Sequence, residues 1–125
     1  MQTIGQQRAK YALNKLKDIK NNEQKDYTQN VKGIPAMILQ NGLGQALAFL
    51  ASRTKTEENK GIVYKKIKDH IGEWVKDRIY RDQKNKDILR CITEGTAREY
   101  LEAQREALEI LSWLKRFAEA GMFGG

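Results

Sequence analysis

The sequence predicts an all-α protein, a compact helical bundle of about five to six helices that forms a single domain over residues 1–125. Three observations carry this. Apolar residues recur at helical spacing along nearly the whole chain, no alternating apolar and polar run is bounded by hairpin turns, and proline occurs once, at position 35. A chain of 125 residues buries roughly two-thirds of the surface its unfolded form exposes, which supplies one core and not two.

The first helix is expected over about 3–22, where Ile4, Tyr11, Ala12, Leu16 and Ile19 share one face and Asn21-Asn22 supplies a stop. A second covers about 23–40 and gathers Tyr27, Val31, Ile34 and Ile38, with Gly33-Ile34-Pro35 interrupting it. Pro35 either kinks that helix or opens a fresh turn at its first position. The third, 43–52, reads LGQALAFLAS and is apolar on nearly every side, which places it in the core. Asn41-Gly42 before it suits a helix stop.

Residues 53–61 have the polar composition of an exposed, flexible loop. A fourth helix over about 62–80 places Val63, Ile67, Ile71, Trp74, Val75 and Arg78 on one face, and a short fifth over about 86–93 ends at Gly95. The last is the best defined. Thr96-Ala97-Arg98-Glu99 matches the capping-box pattern, the helix runs to about Ala120, and Gly121 stops it. Its apolar residues cover an arc of roughly 200°, wider than a surface helix shows, so it should be the central packing element. The tail, 121–125, is expected to fray.

Lys and Arg number 23 against 16 Asp and Glu, a net charge of +7 that favours polyanion partners. The excess is uneven: residues 1–34 carry +4, 35–52 are neutral, 53–90 carry +5 and 91–125 carry −2. No apolar run approaches the roughly 20 residues of a membrane span, and the N-terminus lacks the layout of a secretory signal. Cys91 stands alone, so a reducing cytoplasm fits.

Catalytic chemistry finds little footing. His70 is the only histidine and Cys91 the only cysteine, which leaves no metal site of the His and Cys kind. No Gly-rich phosphate loop is present, since Gly42-Leu43-Gly44-Gln45 is too short and lacks the following lysine. Cys91 lies in a short apolar helix, the setting of an inert thiol. The acid pairs Asp69 with Glu73 and Glu102 with Glu106 have the spacing of solvated faces with cations nearby. No catalytic residue and no cofactor are therefore expected.

Three placements break the local pattern. Arg8 and Lys15 project at about 40° and 20° from Ile4, inside the apolar stripe of the first helix, so they are either paired with a carboxylate such as Glu102 or Glu106 or turned toward a polyanion. Trp113 shares the polar sector of the last helix with Glu102, Glu106 and Glu109, and is either an interface anchor or the edge of the apolar arc. Lys115 lies on the apolar arc beside Arg116, near the helix C-terminus, where a cation also complements the dipole.

Residues 34–52, IPAMILQNGLGQALAFLAS, form the most distinctive stretch of the chain, and residues 100–118, YLEAQREALEILSWLKRFA, form a second. Together with Gln7-Arg8-Ala9 and Tyr11-Ala12, these resemble the small subunit of the type III-B (Cmr) CRISPR RNA-silencing complex. The resemblance covers both ends and the middle of the chain. It implies a non-catalytic helical subunit that stacks in several copies inside an effector complex and holds target RNA through its phosphates, while guide–target pairing supplies specificity. The implied partners are other subunits of the complex, copies of the same chain, target RNA and the guide–target duplex, in antiviral defence.

On that footing the candidates for RNA contact are Arg8, Lys10, Lys15, Lys32, Arg53, Lys115 and Arg116, with Asn41 and Gln45 as neutral donors. Glu102, Glu106, Glu109 and Trp113 are the candidate subunit interface, the acidic C-terminal helix of one copy meeting the basic remainder of the next. A helical spacer that never touches RNA and a free-standing helix-turn-helix nucleic-acid binder are the alternatives. The third helix weighs against the latter, because LGQALAFLAS offers no polar face for a major groove.

Overall fold

The computed structural model describes residues 1–55 and 58–124. Among them lie six α-helices and one 3₁₀ turn: α1 Ile4–Leu16, the 3₁₀ turn Asn21–Glu23, α2 Gln24–Asn41, α3 Leu43–Arg53, α4 Glu58–Ile79, α5 Ile88–Glu94 and α6 Ala97–Glu119. No strand occurs among the described residues, and no helix is long and apolar enough to cross a membrane. The all-helical bundle expected from periodicity is what forms.

The best-defined helix is also the central one. In α6 the Thr96 hydroxyl accepts from the Glu99 N–H and the Glu99 carboxylate accepts from the Thr96 N–H, the reciprocal cap that the sequence predicts. Ala103, Ala107, Ile110, Leu111, Leu114 and Ala118 are buried along it, and α1, α2 and α4 all pack against it. At its far end Gly121 turns to φ 72°, the Met122 N–H reaches the Phe117 carbonyl and the Gly121 N–H reaches that of Ala118, which satisfies two orphan acceptors. The tail expected to fray from position 121 is instead tied down: Phe123 is buried with its ring edge-on to Tyr27, centroids 6.4 Å apart. Position 125 lies outside the described residues.

The other departures have tertiary causes. The first helix stops at Leu16 rather than near Asn22, because the Lys17, Asp18 and Ile19 N–H groups bond three residues back. Ile19 thereby turns into the core, and Lys66 of α4 grips the Asp18 carbonyl at 2.7 Å and the Glu23 carboxylate at 2.7 Å. Burial opposes ionisation of Glu23, but the bonds from Lys66 and the Lys20 N–H outweigh it and hold the carboxyl below the usual range.

Pro35 lies inside α2 and neither starts nor ends it. The loop expected over 53–61 is narrower: Arg53 closes α3, and Glu58 already begins α4. Glu, Asn and Lys are compatible with helix, so polar composition marked exposure and not irregular backbone. Thr56 and Glu57, which that expectation also covered, lie outside the described residues.

Candidate nucleic-acid interface

Of the seven basic candidates, the structure commits two to the fold itself. The Arg8 guanidinium, 15% exposed, meets the Glu106 carboxylate at 2.7 Å and Glu109 at 3.4 Å. Lys15 bonds Glu73 at 3.0 Å and stands 5.5 Å from the centre of the Tyr11 ring. The charges inside the apolar stripe of α1 are thus answered from within. Glu106 is the hub of this corner, since its Oε1 also accepts from the Trp74 indole at 2.8 Å. Burial opposes its ionisation, yet the bonds from Arg8 and Trp74 prevail and hold its carboxyl below the ordinary range.

The remaining basic candidates differ in their freedom. Lys32 of α2 stands 3.6 Å from Glu119 of α6, an exposed pair worth little in itself. Arg53 lays its guanidinium over Phe49, 5.2 Å from the ring centre. Lys10, Lys115 and Arg116 have no carboxylate within 4.0 Å among the described residues. Lys115 and Arg116 border a groove of about 360 Å³ between α2 and α6, shared with Pro35, Leu108, Ser112 and the Glu119 that pairs with Lys32. Lys10 borders a larger groove of about 910 Å³, formed by α1 on one side and Gly121, Met122 and Gly124 on the other. The smaller groove reaches the last turn of α6 at Arg116 and Glu119, and the larger one takes in Gly121 and Met122 just beyond it. Lys17, missed by sequence reasoning, lines the larger one; its signal was its place seven residues after Lys10, on the same solvent face.

At the Asn41-Gly42-Leu43-Gly44-Gln45 turn, Asn41 and Gln45 are both exposed. The backbone there is not free. Leu43 N–H donates to Gln104 Oε1 at 3.0 Å and Gly44 N–H to Tyr100 Oη at 3.0 Å, so α6 caps α3 with side chains that the sequence did not single out. Gly42, at φ 89°, lies so close to α6 that an added Cβ would meet Tyr100 Oη at 2.8 Å.

The candidate interface residues divide as well. Glu102 is exposed and only 3.8 Å from Arg98, whereas Glu106 and Glu109 are turned onto Arg8. Trp113 packs on the core beside Phe117, ring centres 5.5 Å apart, and so closes the edge of the apolar arc. Among the exposed large apolar side chains within helices, Leu39 of α2 is 71% exposed and Leu101 of α6 is 67% exposed.

Neither reactive side chain is poised for attack. His70 is buried with Nδ1 2.8 Å from Tyr27 Oη, and burial pushes its pKa down to about 4, so it is neutral at pH 7. Cys91 is buried with Sγ 3.9 Å from the carbonyls of Gln83 and Lys86, and burial pushes its thiol up. No hydrogen bond joins the two.

The model of the family described as CRISPR-associated protein (Cas_Cmr5) matches residues 4–121. The chain belongs to this family. It is similar to the CRISPR system Cmr subunit Cmr5 of Thermotoga maritima, 34% identical over all of this chain and 88% of that protein. It is also similar to the Cmr subunit Cmr5 of Thermus thermophilus, 30% identical over 96% of each chain. A crystal structure of a CRISPR-associated Cmr5 family protein, also from Thermus thermophilus, superposes with a TM-score of 0.72 at 27% identity, covering 95% of this chain and 97% of that one. The resemblance drawn from the two distinctive stretches, to the small subunit of the type III-B Cmr complex, is the family that the comparisons show.

Proposed function

We propose that this Cmr5-family chain acts in antiviral defence as a non-catalytic subunit of a cytoplasmic Cmr effector complex, where it stacks in several copies and holds target RNA through phosphate contacts. The observation that carries the RNA part is the set of cations left without a carboxylate among the described residues: Lys10 on the larger groove, and Lys115 and Arg116 on the smaller. Unpaired cations beside open grooves attract a strand through its phosphates without reading bases. Lys32 and Arg53 add charge at the flanks. Arg8 and Lys15 support the fold in this scheme rather than the strand. The exposed Leu39 and Leu101 support contact with copies or other subunits, with Glu102, exposed and held only by the solvent-facing Arg98 at 3.8 Å, as the acidic group that meets a basic neighbour.

Changing Lys10, Lys115 and Arg116 to Glu tests this. Binding to single-stranded RNA should weaken regardless of sequence, and the slope of log affinity against log salt should flatten by about 2, at about 0.7 for each lost contact. Unchanged affinity and slope would remove the three residues from the track. The exposed leucines by themselves favour a second function, a spacer that joins subunits without touching RNA. Assembly with no crosslink from this chain to RNA would establish it.

A further inference from the structure

From the larger groove, between α1 and the C-terminal tail, we infer that this surface seats an unpaired base of single-stranded RNA, with Lys10 and Lys17 holding the flanking phosphates. This rests on the RNA-holding function proposed above and adds a site to it. The groove holds about 910 Å³, within the range of small-ligand sites at about 300–1,000 Å³, and it opens to solvent. Its lining combines three chemistries. Tyr11, Leu13 and Met122 supply aromatic and apolar surface for the face of a base. Gln7 and Asn14 present primary amides, each with donor and acceptor, to the base edge. The Gln7 amide already donates to the Gln2 carbonyl at 3.3 Å, which leaves its oxygen available as an acceptor.

The charge points to a polyanion. Lys10 and Lys17 stand seven residues apart, two helical turns on one face, and neither has a carboxylate partner among the described residues. No acidic side chain lines the groove among the described residues. Two cations without a counter-charge beside an apolar floor suit a group that is flat and apolar at one end and anionic at the other. An unpaired nucleotide has that form. A duplex presents only its phosphates here, because its base faces are stacked and its edges paired. The floor is held from behind: Tyr11 donates its hydroxyl to the His70 carbonyl at 2.5 Å and packs on Trp74, ring centres 5.0 Å apart. Phe123, seated on Tyr27, anchors the tail that forms the opposite wall.

The test uses the full chain, a uridine oligomer carrying 4-thiouridine, and an abasic ribose-phosphate oligomer of the same length. The uridine oligomer should bind roughly five-fold or more tighter than the abasic one, as one stacked base is worth, and should crosslink to Tyr11, Leu13 or Met122. Asn14→Trp, on the groove side of α1, fills the groove and should reduce uridine binding to the abasic level. The double variant Lys10→Gln/Lys17→Gln should weaken both oligomers alike. If the oligomers bind equally and crosslinks are confined to the segment around Lys115 and Arg116, the groove site is overturned while the RNA-holding function stands. If neither oligomer binds the free chain or its assembled complex, both fall. The crosslink map of the unaltered chain decides the matter even if a variant fails to fold.

Discussion

Arg8 and Glu106, 98 residues apart in the chain, form a two-pronged pair: Nη2 to Oε2 at 2.7 Å and Nε to Oε1 at 3.3 Å. Both side chains are mostly enclosed, at 15% and 13% exposure, and the Trp74 indole completes the corner. Removing one member strands the other. Glu106→Ala leaves Arg8 and the Trp74 N–H without their acceptor and should cost about 2 kcal/mol, less than the roughly 3–5 kcal/mol of a fully buried pair because water still reaches the site. The double variant Arg8→Met/Glu106→Leu should cost less than the sum of the single changes, measured by urea unfolding. Arg8→Met, if folded, should leave the salt slope of RNA binding unchanged, in contrast to Lys10, Lys115 and Arg116.

Acid should weaken the protein through His70 before it does so through the carboxylates. Burial, with help from Lys15 and Lys66 and against Asp18, lowers the folded pKa to about 4 from 6.5. The unfolded chain binds a proton near pH 6.5 that the folded chain refuses until about pH 4, so stability is complete above pH 6.5 and declines as pH falls between these values. Glu23, Asp87 and Glu106 are also shifted down, from carboxylate values that already lie below 5, so they stay ionised at about pH 5 and lose their contribution only in stronger acid. Unfolding at pH 5 should show a loss of about 2 kcal/mol relative to pH 7, at about 1.36 kcal/mol per pKa unit. A much smaller loss is expected in His70→Gln; an equal loss in the two proteins would clear His70.

Two glycines with positive φ should respond differently to alanine. At Gly121 nothing lies within 4 Å of an added Cβ, so Gly121→Ala should cost only the conformational strain of φ 72°, about 1 kcal/mol. At Gly42 the same strain is joined by the clash with Tyr100 Oη at 2.8 Å, so Gly42→Ala should cost more. Tyr100→Phe removes the clashing oxygen together with the bond to the Gly44 N–H. Thermal melts of the three single variants and the Gly42→Ala/Tyr100→Phe pair would show whether the two sites are coupled, as their contact requires.

The tail provides a fourth check. Phe123→Ala should destabilise by about 2 kcal/mol, the order expected when a buried aromatic at the margin of a core is truncated. It should also open the wall of the larger groove. A melt unchanged from the parent protein would mean that residues 121–124 contribute nothing to folding.

Where the sequence sufficed, the responsible interactions lie within a few residues. The cap of α6 needs only Thr96 and Glu99, three positions apart, and the stops at Gly42 and Gly121 need only a residue free to take positive φ. The apolar stripes of α2 and α6 were legible for the same reason, since helical spacing repeats every few residues. The early end of α1 was not: the turn that follows it is held by Lys66 of α4, which bonds the Asp18 carbonyl and, 43 residues away, the Glu23 carboxylate. The candidate site was legible by type and not by availability. Composition marks a lysine or arginine as a cation, but whether it is spent inside the fold depends on which carboxylate the packing brings near.

The sequence by itself therefore determined the all-helical class, the central role of the last helix and the family, all of which rest on local periodicity or on contiguous residues. Tertiary structure alone decided that Arg8 and Lys15 are paired within the fold while Lys10, Lys17, Lys115 and Arg116 meet no carboxylate among the described residues, and that a groove opens between α1 and the tail. Ion pairing acts over a few ångströms of space, and distances of that size between helices are set only when the core closes.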